Sequence, residues 1–531
     1  MTGETRRDGV ALIDRLPAAV REVVHASPSD DGRRTEISCP RDRLRDLCRW
    51  LFRDSGHGFA TLVVEETTAP SWALTYVFHA PDREDWVHVR LEQDIAERTV
   101  PSISDLVHAA DWHERETEDL FGLVFEGHPR LGEFVLHEDW PEGTNPMRKS
   151  FDAGRRNEPR GDVLWEPPKV VEATGAFAMP VGPVYSGFAE SAHFLLETVG
   201  EDVITAIPRF FYKYRGVEKI AEGRTPEDAL LLAERFSGSS AFAHGLAFCQ
   251  AVEAIAGVAP PPRALRLRTM LAELERLRHH AAAIKGICES TGLAVATSQA
   301  ALIEEDLLRL TGAVVGHRYL FGALVPGGLA RDLADERCHR LAAAAQQAGG
   351  RLSELERMLD YTSSFLDRLE EVGNVSRSQA RDYGLVGPIA RASNLSRDLR
   401  QAAPYAAYDE LDFIVPTETE GDGYARLRIL FREVEQSVAI IAQAAAALPA
   451  GAVATPVTPQ EGAALGIAEA PLGATVHWVR LDGEGRIARY RPTPPSFANW
   501  HGFHLAAENF AFQDFPIIMA TFGLSNAECD R

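Results

Sequence analysis

The chain has 531 residues, too many for one compact core; at ~150 residues per domain it holds about three units. Apolar residues make up 45% and charged residues 25%, which excludes a disordered or fibrous chain. The 77 Asp and Glu outweigh the 55 Lys and Arg to give a formal charge of −22, so nucleic acid is not an expected partner, because phosphate contacts need clustered Lys and Arg.

The first 150 residues alternate between short helix and strand patterns. Arg41 to Asp54 reads as a helix with Leu44, Leu47, Cys48 and Leu51 on one face. Phe59 to Glu65, Trp72 to His79 and Trp86 to Leu91 read as strands separated by turns. Residues 152–169 are charged, Pro-rich and without periodicity, which reads either as a linker or as an ordered loop packed on the body. Val181 to Glu201 has the pattern of one or two β-hairpins. Helix formers dominate from Thr225 to Glu371, with a long helix expected over Arg263 to Glu289 behind Pro260-Pro261-Pro262. A second helical block covers Gly423 to Leu448, and Ala474 to Tyr490 returns to strand alternation around Asp482-Gly483. The fold class is therefore α+β.

No run reads as a membrane span or an export signal, since the apolar stretch Val438 to Leu448 is shorter than the ~20 residues a bilayer core demands. Any membrane role is expected to come through partner subunits. The six cysteines form no CxxC pair, which argues against a disulfide framework or zinc ribbon and fits a reducing cytosol.

Two stretches carry a resemblance. Glu114-Arg115-Glu116-Thr117-Glu118-Asp119-Leu120-Phe121-Gly122 leads into Gly127-His128-Pro129-Arg130-Leu131, Glu138-Asp139-Trp140-Pro141 and Pro146-Met147-Arg148-Lys149. Together they resemble the signature of the small (30 kDa-like) peripheral-arm subunit of respiratory complex I. By themselves these residues form an acidic helix start and a Gly/Pro loop with no catalytic constellation, which is a docking surface. Farther on come Gly182-Pro183 with His193, Tyr214-Arg215-Gly216-Val217-Glu218-Lys219, Glu234-Arg235 through Ala243-His244, and Leu274-Glu275-Arg276-Leu277. Gly327-Gly328 with Arg331-Asp332, Gly387-Pro388 through Arg391-Ala392-Ser393 and Glu469-Ala470-Pro471 follow. This set resembles the large subunit of group 4 nickel–iron hydrogenases, of the formate hydrogenlyase and energy-converting type, and its homologue, the quinone-site subunit of complex I. The resemblance implies a small α/β docking domain over 1–151, a linker over 152–169, and a mainly helical large-subunit domain with peripheral β-hairpins over 170–531.

In that family two CxxC motifs hold the metals, because nickel and iron need soft, anionic thiolates able to bridge two ions. Here Ser237 and Ser240 stand at the first pair of positions, and Ser525 and Glu528 at the second. A serine hydroxyl stays protonated near neutral pH and is a hard, poor substitute. Neither Cys529 nor Cys249 falls at a ligand position. The family's arginine over the metals is Leu472, and the aspartate that opens the second motif is Gly523. No nickel–iron centre is expected, and no cofactor bound by this chain. The resemblance also implies that Arg531, two residues past Cys529, leaves nothing for a maturation protease to remove.

A quinone is the other candidate occupant that the resemblance implies. His193 aligns with the loop histidine of the quinone-site subunit, and imidazole titrates near neutral pH. The tyrosine that partners it falls at Gly238 and the orienting aspartate at Ser290, beside Glu289, so Tyr185 is the candidate phenol. His244 is a candidate for the emptied pocket, with an apolar core position between Phe242 and Phe248 as its other reading. Glu218 is either a proton relay or metal ligand, as in relatives, or an exposed salt-bridging carboxylate. Arg276, Arg331 and Arg391 are expected to fix buried carboxylates. His279 and His280 are adjacent on a helix and do not face one metal together.

Two function classes follow. One is an oxidoreductase subunit of a membrane-associated complex, with an iron–sulfur cluster in a small partner subunit and antiporter-like membrane subunits, peripheral on the cytoplasmic face. The other is a non-catalytic structural and coupling subunit on the same fold. No GxGxxG stands at a strand–helix junction, so any NAD(H) site is expected on another subunit.

Overall fold

The computed structural model describes residues 12–22, 24–28, 34–67, 70–80, 82, 84–155, 158–161, 174–184 and 190–531. The chain divides into two units, one of Met1–Pro168 with Arg209–Tyr214 and Asp382–Gly384, the other of Lys169–Pro208, Arg215–Arg381 and Leu385–Arg531. Most of the linker expected at 152–169 lies outside the described residues.

The first unit is built on a five-stranded sheet, β1 (His25–Pro28), β2 (Arg34–Ser38), β3 (Gly58–Glu66), β4 (Ser71–His79) and β5 (Trp86–Asp94), in the order β1-β2-β5-β4-β3. Only the β2–β5 pair is parallel among these strands. The expected helix forms as α1 (Leu44–Arg49), flanked by a short 3₁₀ turn and a wider π turn to Asp54. Its four apolar positions are fully buried, as the periodicity requires.

The acidic signature forms α2 (Asp111–Phe121), and its acids are structural. Asp119 Oδ2 accepts three successive backbone N–H groups, from Phe134, Val135 and Leu136 at 2.9, 2.7 and 2.9 Å. Glu114 accepts from Ile103 N at 2.8 Å and from Ser102 Oγ at 2.5 Å. Gly122 ends the helix at φ 76°, where a Cβ would sit 2.5 Å from Asn145 Oδ1.

In the second unit the hairpins between 176 and 209 form β6 (Ala176–Val181), β7 (His193–Val199) and β8 (Asp202–Arg209). They share a sheet with a strand from the far end of the chain, Glu508–Ala511. The helical body contains α3 (Ala241–Ala256), α4 (Pro262–Ser290), α5 (Ala294–Val315), α6 (Asp335–Asp360) and α7 (Gly423–Ala446). Helix α4 is central: most of its residues are buried on every side, although Arg, Glu and His are frequent in it. Partners make that burial tolerable. Glu433 of α7 accepts from His280 at 2.7 Å and pairs with Arg391 at 2.6 Å, and Arg391 also pairs with Glu469 at 2.8 Å. Arg276 donates to the carbonyls of Glu469 and Ala470. Arg391 thus fixes buried carboxylates as expected, and Arg276 also does so, 3.4 Å from Glu273 and 3.6 Å from Glu433. Arg331 does not; it is exposed, because its turn precedes α6 at the surface.

A three-stranded sheet, β9 (Gly462–Ala470), β10 (Gly473–Leu481) and β11 (Ile487–Thr493), packs on α3. Strand β9 was not expected from its small residues. They are there because strand and helix touch: a Cβ on Gly466 would lie 1.8 Å from the carbonyl oxygen of Ala247. The chain closes with α8 (Pro495–His501), α9 (Phe515–Phe522) and the short α10 (Asn526–Cys529). Among the described residues no helix is long and apolar enough to cross a membrane.

Candidate functional site

The four lost-ligand positions come together in the second unit. Ser237 and Ser240 lie in the turn that starts α3, where Glu275 of α4 accepts the first helical amides, Phe242 N at 2.7 Å and Ala243 N at 3.0 Å. Burial pushes Glu275 up to about 7, against the pull of those amide bonds. Ser525 caps α10 by accepting from Glu528 N at 3.3 Å. The caps therefore aim the two motifs at each other.

Ser237 Oγ donates to Glu528 Oε1 at 2.8 Å, and Ser240 N donates to Ser237 Oγ at 3.3 Å. Glu528 Oε2 accepts from Ser496 N of α8 at 3.3 Å. On the other side of α10, Glu190 accepts from Ser525 Oγ at 3.1 Å and from Ala527 N at 2.9 Å. The Ser237 and Ser525 hydroxyls and the Glu190 and Glu528 carboxylates satisfy one another, the buried Ser240 hydroxyl has no hydrogen-bond partner among the described residues, and no thiolate is among them. The residues do not fit a nickel–iron group. Cys529 does not repair the set: burial raises its thiol well above the usual range, keeping it neutral.

His244 Nε2 lies 3.5 Å from Glu528 Oε1, so the structure brings this candidate to the rebuilt site. Its Nδ1 is 3.0 Å from His477 Nε2, and His477 Nδ1 is 2.9 Å from the Tyr490 hydroxyl. All four residues are fully buried. Burial would raise Glu528, but hydrogen bonds from His244, Ser496 and Ser237 prevail and hold it below the usual carboxylate range. Burial, then His244 and Arg531, depress His477 far below the ordinary imidazole value.

Glu218 is not at this site. It is fully buried and pairs with Arg489 at 2.6 Å, Arg491 at 3.0 Å and Arg531 at 3.4 Å. Burial opposes its charge, yet the three guanidiniums hold its carboxyl at about 2. The salt-bridging alternative fits, in a buried rather than an exposed form, and an acid so clamped is a poor proton carrier.

A cavity of about 590 Å³ opens beside the rebuilt site. Ser239 forms part of its wall, and α4 lines one side with Arg278, His279, Ala282, Ala283, Gly286, Glu289 and Ser290. Phe515, Pro516, Met519 and Ala520 of α9 form another side, with Ala192 and Phe194 from β7 and the turn before it. His193 is buried, and its neighbours line the cavity while it does not. Side chains alternate across a strand, which sends His193 to the other face. Tyr185 lies outside the described residues. His279, set aside in the sequence as half of a non-chelating pair, is the histidine on the wall. Burial, then His280, depress it well below the usual value, so it is neutral. The spacing of small residues at 282, 283 and 286 between polar residues at 278–279 and 289–290 was the available signal.

Known families cover both units. Residues 37–157 match the respiratory-chain NADH dehydrogenase 30 kDa subunit, residues 215–283 the nickel-dependent hydrogenases, and residues 295–459 and 453–531 the respiratory-chain NADH dehydrogenase 49 kDa subunit. Formate hydrogenlyase subunit 5 of Escherichia coli (strain K12) is 32% identical, over 98% of this chain and 92% of that protein. The chain belongs to this family of fused 30 kDa–49 kDa-type, hydrogenase-like large subunits. Other members are hydrogenase-4 component G of the same strain, 29% identical over 98% of this chain and 92% of that protein, and the NADH-quinone oxidoreductase C/D protein of Bdellovibrio bacteriovorus, 27% identical over 93% and 95%.

Proposed function

We propose that the chain is a redox subunit of a membrane-associated, energy-converting complex in which a quinone-class acceptor, and not a nickel–iron centre, occupies the site. The observation that carries this reading is the placement of the cavity: its wall includes Ser239, between two lost-ligand positions. Alanine and glycine on α4 and apolar residues on α9 leave room for a flat ring, while Arg278 and His279 are the donor types that a ring carbonyl needs. Electrons pass to or from an iron–sulfur cluster in a small partner subunit, antiporter-type membrane subunits take up the coupling, and the chain lies on the cytoplasmic side. Any NAD(H) site belongs to another subunit. The proton chemistry of the pocket falls to Glu528, which His244 holds in place.

The second reading, a non-catalytic coupling subunit, draws on the mutual satisfaction of Ser237, Ser525, Glu190 and Glu528, which a purely structural closure also needs. Co-expression with the cluster-bearing subunit separates the two. The redox reading expects turnover with a short-chain benzoquinone, no hydrogen evolution and nickel far below one per chain. About one nickel per chain would contradict it, because hard oxygens would then hold a soft-ligand centre. An assembled complex that neither binds nor reduces the quinone would favour the coupling reading.

A further inference from the structure

Resting on that reading only for the identity of the occupant, we propose that the lost-ligand positions have become an acid–base relay. Ser239, on the cavity wall, exchanges one proton with the Glu528 carboxylate through the Ser237 hydroxyl, while His244, His477 and Tyr490 hold that carboxylate in place.

The spacing supports each link. Ser239 Oγ is 3.0 Å from Ser237 Oγ, and Ser237 Oγ is 2.8 Å from Glu528 Oε1; the direct Ser239–Glu528 hydrogen bond, at 3.4 Å, is longer than either link. Of the three groups, Ser239 alone lines the cavity. The hydroxyl chain therefore runs from a residue on the cavity wall to a buried carboxylate.

The closed end is anchored by a chain of buried side chains. An ionised carboxylate only accepts, so His244 donates to Glu528 from Nε2. His244 Nδ1 in turn shares a hydrogen bond with His477 Nε2, and His477 Nδ1 shares one with the Tyr490 hydroxyl. Thr475 Oγ1, 3.1 Å from His244 Nδ1, also has the Thr493 carbonyl at 3.2 Å. Every nitrogen of the two imidazoles is engaged.

The relay has two states that differ by one proton. With Glu528 ionised, Ser239 donates to Ser237 and Ser237 to Glu528. When the occupant releases a proton to Ser239, each hydroxyl passes its own inward and Glu528 becomes the neutral acid. Glu528 then donates to Ser237, Ser237 to Ser239, and Ser239 to the occupant, and the reverse passage returns the proton. One O–H bond breaks as one forms at each step, and no electron moves through these residues. The imidazole chain is the same in both states, so His244, His477 and Tyr490 are positioning residues. The other charged groups nearby are Glu190, on the cavity wall and bonded to Ser525, Glu289 on the same wall, Arg278, which donates to the Ser239 carbonyl at 2.7 Å, and Glu218, which acts on Tyr490. Arg531 acts on His477 from beyond.

The test uses the full chain in its complex, turning over a short-chain benzoquinone across a range of pH. Ser239→Ala and Glu528→Gln are expected to lower kcat ~100-fold with KM unchanged, the scale of general acid–base catalysis. Ser239→Thr restores the hydroxyl and the rate, and Glu528→Gln removes a limb of the pH profile. Wild-type kcat and pH profile in Ser239→Ala would overturn the relay while leaving the quinone reading intact. If the wild-type complex turns over no quinone, infrared pH titration of the purified chain still decides. The relay expects a protonated-carboxyl band that is absent in Glu528→Gln and shifted in Ser237→Ala. A carboxyl band indifferent to Ser237→Ala would overturn it.

Discussion

Ser237 and Glu528, 291 residues apart, meet in a 2.8 Å hydrogen bond that closes the second unit where the family resemblance places metal thiolates. Hydrogen bonds hold the two motifs together here, and the buried Glu528 carboxylate is their common acceptor. Glu528→Ala strands Ser237 and His244 in a fully buried space and is expected to cost ~1–3 kcal/mol. Glu528→Gln keeps the shape and costs less. Urea unfolding of both variants checks the order.

The clamp on Glu218 makes a sharper stability prediction. Glu218→Gln leaves Arg489, Arg491 and Arg531 without their shared carboxylate and is expected to cost ~3–5 kcal/mol at neutral pH. The folded carboxyl titrates at about 2, below its usual 4.5, so its contribution is complete above the unfolded value. That contribution is lost as pH falls from 4.5 towards 2. The variant should lack this portion of the acid-induced loss, which a denaturation series over pH measures.

Glu114 runs the other way. Burial raises it to about 7 against the bonds from Ile103 N and Ser102 Oγ, so the folded state holds a proton that the unfolded state gives up. Its stabilisation is present at low pH and is lost as pH rises from 4.5 through 7. Gln can keep both hydrogen bonds. Glu114→Gln should therefore flatten the thermal stability of the chain across that window, where the wild type declines.

The elements with strong periodicity were legible in the sequence, and those shaped by close contact were not. Strands β3 to β5 and helices α4 and α7 follow from alternation or 3.6-residue spacing. Strand β9 hides because Gly466 must let a backbone through, and Gly466→Ala is expected to destabilise by more than the ~1–3 kcal/mol of ordinary overpacking. The lost-ligand positions were visible through the resemblance, and His244 beside them. His477 and Tyr490 were not, since one histidine and one tyrosine on neighbouring strands carry no sequence mark until β10 and β11 pair. His193 sits one residue out of phase with the cavity, a difference that the strand's two-residue alternation decides and a motif does not.

If the acceptor binds in the cavity beside the rebuilt ligand positions, Gly286 gives direct access to it. Gly286 lies on α4 in the cavity wall, and a Cβ there meets nothing within 4 Å. Replacing a helical glycine gains helix propensity of roughly 0.5–1 kcal/mol, so Gly286→Leu should fold as well as the wild type while filling the cavity. The decisive measurement is the binding of a short-chain benzoquinone to the assembled complex, wild type against Gly286→Leu, with the thermal transition as the control. An unchanged or raised transition together with loss of binding is the expected result. Undiminished quinone binding in a well-folded Gly286→Leu complex would contradict the assignment of the cavity.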